Sequence, residues 1–96
     1  MKANCEFVSI WDGGVELRSP AFFDRKDGSV TVLKAQSGDG VEHLDREFIE
    51  LPNGDELEVC LTCHESVMKT ITDLSSKTLE IEGAACSNTE CESNHL

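Results

Sequence analysis

The chemistry-bearing residues of this chain are concentrated in its second half. Cys60-Leu61-Thr62-Cys63-His64 sets two thiols three positions apart. At that spacing a tight turn presents both sulfurs to a single metal ion. Cys86 and Cys91 form a second pair, which begins after 22 intervening residues. Cys60, Cys63, Cys86 and Cys91 together resemble the outline of a four-cysteine ribbon around one structural zinc, with His64 or His95 able to replace one thiolate. In a small domain, zinc binding adds folding free energy on the order of 10 kcal/mol. The second pair lacks the glycine or aromatic neighbours that usually mark a zinc knuckle.

Other chemistry competes for the same residues. Cys-x-x-Cys-His is the attachment pattern of a c-type haem, with the histidine as axial ligand. That reaction normally follows export, and Met1-Lys2-Ala3-Asn4-Cys5-Glu6 has no apolar stretch of the signal-peptide kind. With 5% aromatic residues, the chain also has little with which to wall a haem. All five cysteines can instead be reduced cytosolic thiols with no cofactor bound, Cys5 among them at a strand edge. A disulfide framework conflicts with the odd count, and a Cys60–Cys63 redox pair lacks the βαβ setting of thioredoxin-like proteins.

Enzyme signatures are missing. His43, His64 and His95 are the histidines, and none belongs to a nucleophile-elbow, phosphate-loop or dinucleotide pattern. Asp39, Glu42, Asp45 and Glu47 lack EF-hand spacing. The expected protein is therefore not an enzyme.

The elements that must position these residues are short strands. Residues 6–11 are β-branched and aromatic and lead into Asp12-Gly13-Gly14, a turn; 15–18 alternate apolar with charged, completing a hairpin. Pro20 is expected to end that strand or lie on an edge, with 21–23 extending it beyond a bulge. A turn at 24–28, a strand over 29–35 and a fourth over 46–51 follow. Pro52-Asn53-Gly54-Asp55 turns the chain into Leu57, Val59 and Leu61, which alternate with Glu56, Glu58 and Cys60. Val67, Ile71 and Leu74 fit one helical face, so a short helix is expected near 65–74, and 78–82 alternate as a last strand. The expected fold is mainly β: a small antiparallel meander of five to six short strands, partly closed, with at most one helix. Residues 1–83 form the domain, and 84–96 are a polar tail, ordered only if its cysteines bind metal.

Charge completes the reading. The 96 residues carry a net charge of −11. Residues 1–48 hold six basic against nine acidic groups, while 49–96 hold two against ten. Such a balance opposes direct binding to nucleic acid or to an anionic membrane, because phosphates require cations. No run of 18 apolar residues occurs. Glu56 and Glu58 share one strand face, as do Glu80 and Glu82, so neighbouring strands would line up four carboxylates. The expected function is that of a small acidic regulatory protein binding a protein partner through that face, which suits a basic partner. Alternatives are a zinc-stabilised interaction module, a DNA mimic that occupies a DNA-binding protein, and a haem or redox carrier. A cytoplasmic location and a bacterial or phage accessory role fit the size and charge.

Overall fold

Gly13 and Gly14, both at positive φ, reverse the chain between β1 (Cys5–Trp11) and β2 (Val15–Asp24). This hairpin is the centre of the computed structural model, which describes residues 2–34, 43–69 and 85–92. β3 (Ser29–Val32) pairs with the far end of β2, β4 (Leu44–Glu50) with the open side of β1, and β5 (Glu56–Glu58) with β4. All pairings are antiparallel, and the order is β3-β2-β1-β4-β5. The expected β class holds, but β4 returns beside β1 instead of beside β3, which gives a Greek-key order.

Pro20 does not end β2. Register with β1 runs unbroken from Cys5↔Ala21 to Trp11↔Val15. The Pro20 carbonyl accepts a hydrogen bond from Leu33 N–H, so its nitrogen faces the end of β3. A missing donor costs least there. The strand expected through Leu61 is also shorter, because β5 stops at Glu58 and the chain turns at Cys60.

The segment after that turn closes the sheet. Ser66 bridges Ser29 on β3, and Val67 bridges Val59 beyond β5, so one stretch spans the two ends of the sheet. Val30 N–H donates to Glu65 O, Val67 N–H to Gly28 O, and Cys60 N–H to Ser66 O. β6 (Met68–Lys69) then pairs with β7 (Ala85–Cys86). The helix expected near 65–74 is not formed over 66–69, where β-branched Val67 serves as a bridging strand residue with its side chain fully buried. Residues 70–74, and the strand expected over 78–82, lie outside the described residues.

Alternation sorts the side chains. Phe7, Ala21, Phe23, Val30, Ile49, Leu51, Val59 and Val67 fill the interior with Cys5. Ser87, just beyond β7, packs directly against Gly28. The φ of Gly28 is +76°, and a Cβ there would lie 2.5 Å from Ser87 Oγ and 2.8 Å from Ser87 Cβ. Ser87 also donates to Gly28 O and its N–H to Val67 O, so it has little room to withdraw. Gly28→Ala is therefore expected to cost about 2–4 kcal/mol, combining positive-φ strain with overpacking. Gly13→Ala, where nothing lies within 4 Å, is expected to cost only about 1–2 kcal/mol. Denaturant unfolding of the two variants provides the comparison, and equal losses would contradict the packing at Ser87.

Candidate metal centre

The turn at Cys60 brings two thiols to one point. His64 N–H donates to Cys60 O at 2.9 Å, and His64 takes φ +60°, the left-handed conformation more often left to glycine. His64 thus supplies the left-handed residue that closes the Cys60–Cys63 turn. On the second arm, β7 carries Cys86, and a turn in which Cys91 N–H donates to Asn88 O returns Cys91 toward it. Pairing of Met68 with Cys86 sets the two arms side by side.

The result is a four-sulfur cluster. The Sγ atoms of Cys60, Cys63, Cys86 and Cys91 all lie within 4.8 Å of one another. Cys60 to Cys91 measures 3.8 Å and Cys63 to Cys86 3.7 Å. A tetrahedron of Zn–S bonds of about 2.3 Å puts its sulfurs about 3.8 Å apart. Disulfide sulfurs, by contrast, sit about 2.05 Å apart. Cys60, Cys86 and Cys91 are buried and Cys63 is half-buried, with Met68 packed against the group.

Backbone donors are aimed at the sulfurs. Thr62 N–H points to Cys60 Sγ at 3.4 Å, and the N–H groups of Glu65 and Asn88 reach Cys63 and Cys86. In each case the donor is two residues beyond its cysteine, so each half of the cluster repeats the same local turn. Such bonds favour negative charge on sulfur. Burial works the other way and pushes the Cys63 and Cys86 thiols up. Buried thiolates this close together require a cation between them, and four soft donors in tetrahedral spacing suit zinc. The residues present therefore fit the ion.

His64 is not directed at the cluster through Nδ1, which pairs with the Glu47 carboxylate. Glu47 is buried and also accepts from Ser9 Oγ at 3.3 Å. Residue types alone did not assign this role to Glu47 or Ser9. Alternation along β4 places Glu47 among inward residues, between Arg46 and Phe48 of the opposite face, and that was the available signal. His95 lies outside the described residues. Cys5 is remote from the four: it belongs to the main core, where its thiol reaches Ala21 O and burial pushes its pKa up.

Part of the expected acidic face lies within the described residues. Glu56 and Glu58 do share a face, but both pair with Arg46, which also stacks over Phe48. Glu80 and Glu82 lie outside the described residues. Among the described residues, register adds Glu6, Glu16 and Glu50 to this face, with Glu6, Glu50 and Glu56 in one cross-strand row. Arg18 pairs with Glu6, Glu16 and Glu50. Exposed pairs of this kind contribute little to stability, but they hold down repulsion between carboxylates on adjacent strands.

No family model, curated protein or solved structure matches the chain. Among the described residues, no helix is long and apolar enough to cross a membrane.

The Glu47–His64 pair yields a test with a definite sign. His64→Gly relieves the left-handed strain but leaves a buried carboxylate without its imidazole, so the net effect should be a loss of about 1–3 kcal/mol. In a Glu47→Gln background the same change should be near neutral or stabilising. A double-mutant cycle from chemical unfolding measures the difference; additive effects would mean that the pair carries no coupling.

Proposed function

We propose that the chain is a non-enzymatic, zinc-stabilised binding module, with the metal as scaffold. The observation that carries this reading is the mutual approach of four thiols from two separate arms to within 4.8 Å, with Cys60–Cys91 at 3.8 Å and Cys63–Cys86 at 3.7 Å. Zinc would be held by Cys60, Cys63, Cys86 and Cys91, tying 85–92 to the closing segment. With no open ligand position in a set of four thiolates, such an ion is structural rather than catalytic. A haem at Cys60-x-x-Cys63-His64 would require both thiols to leave the cluster. A reducing, cytoplasmic setting suits five cysteines that form no disulfide.

A second reading concerns the outward sheet face. Five glutamates stand there against Arg18 and Arg46. This net negative surface supports binding to a basic protein partner, and its rows of carboxylates are compatible with imitation of nucleic-acid phosphates before a DNA-binding protein. Strand neighbours about 4.8 Å apart fall within the range such mimicry needs. A partner held by this face should be lost steeply as salt rises, and retained after Cys5→Ala.

Elemental analysis of protein purified without chelator should find one zinc per chain. Metal uptake by the stripped protein should release protons, because burial keeps the Cys63 and Cys86 thiols protonated until a cation arrives. Affinity for zinc should therefore fall as pH is lowered. Cys86→Ser should lose the ion together with on the order of 5 kcal/mol of stability. Zinc-free protein whose unfolding is indifferent to chelator would remove the reading.

A further inference from the structure

The seam that closes the sheet is incomplete among the described residues, and its open part has the character of a peptide site. Ser66 and Val67 continue the sheet beyond β3, but upstream of Glu65 the chain leaves for the Cys60–His64 turn. A groove of about 850 Å³ opens there, lined by Thr31 and Val32 of β3, by Cys63, His64 and Glu65 of the turn, and by Asn88 across from them. That volume lies in the range of ligand-binding clefts, roughly 300–1,000 Å³.

Main-chain geometry says what the groove offers. Leu33 N–H bonds to Pro20 O, so Leu33 and Thr31 direct their main-chain groups toward β2. Val30 and Val32 direct theirs the other way, and Val30 N–H is used by Glu65 O in keeping with that alternation. Among the described residues, Val30 C=O, Val32 N–H and Val32 C=O therefore face the groove as one open length of strand edge. Asp27 and Glu65 add negative charge, and among the described lining residues there is no lysine or arginine. Ser29 N–H holds the Asp27 carboxyl below the ordinary carboxylate range, so that charge persists at neutral pH.

We infer that this groove takes an extended, basic segment of a partner protein, added as a strand on the open edge of β3 beside the cysteine cluster. Main-chain bonds to Val30 and Val32 supply affinity, and lysine or arginine side chains facing Asp27 and Glu65 supply selectivity. The inference rests on the binding-module reading and names the partner's chemistry. It does not depend on the ion itself.

The test uses the full chain as purified, labelled with ¹⁵N, and a short alternating Lys-Val peptide. Titration should shift and protect the Val32 amide, while an alternating Glu-Val peptide should leave it unchanged. Val32→Pro removes the edge donor without touching the bonds to β2, and should weaken Lys-Val binding about tenfold or more. Its amide dispersion and metal content should match those of the parent. Glu65→Gln should weaken binding several-fold at low salt and make little difference at high salt. Absence of binding at millimolar peptide, shifts confined to Glu50 and Glu56 on the outward face, or unchanged binding by the proline variant would overturn the inference. So would concentration-dependent self-association through Val32 without peptide, since a second copy would then be the occupant. Zinc content measured on the same sample separates the two ideas: metal-free protein that still protects Val32 retires the zinc and keeps the groove.

Discussion

The double engagement of residues 65–67 is the constraint on which the rest depends. One short stretch bonds to β3 through Val30 and Gly28, and meets the end of β5 through the bridge between Val67 and Val59. Without it the sheet would present two unpaired edges and expose Phe23, Val30 and Val59 from one side. An antiparallel sheet this small needs a cover for its apolar face. Here the cover is the chain's own return, and the bridges determine where Cys60 and Cys63 stand. β6 then holds β7, and with it Cys86 and Cys91, against the same place. Closure of the sheet and assembly of the thiol cluster thus rest on the same stretch of chain.

That arrangement separates the two faces of the protein chemically. Inside lie aliphatic and aromatic side chains with Ser9 and Glu47, whose carboxylate pairs with the exposed His64 next to the cysteine turn. Outside, Arg18 and Arg46 lie among glutamates on four strands. A net charge of −11 disfavours compaction. Ion pairing on the outer face acts against that repulsion at the surface.

The cysteine cluster also accounts for irregularities that would otherwise look accidental. β5 is only three residues long because the turn must begin at Cys60. His64 accepts a strained backbone conformation because that turn requires it, and Glu47 holds its ring. Gly28 lacks a side chain because Ser87, next to Cys86, occupies the space a Cβ would need. Each of these positions is tied to the assembly of the two arms.

Much of this was legible from local signals. Period-2 alternation, the glycine turns and the Cys-x-x-Cys pair are written within a few residues each, so β class, hairpin positions and the candidate ligands Cys60, Cys63, Cys86 and Cys91 followed from the sequence. The placement of β4 beside β1, the closing strand in place of a helix at 66–69, and the continuity of β2 through Pro20 did not. Each depends on a partner distant along the chain: Val67 is a strand residue because Val59 and Gly28 are there to bond it, and Pro20 is tolerated because β3 ends opposite it. The Glu47–His64 pair and the open edge at Val32 are likewise properties of juxtaposition. Spacing along the chain determined which atoms were available for chemistry, and the hydrogen-bonding of distant segments decided which of them meet.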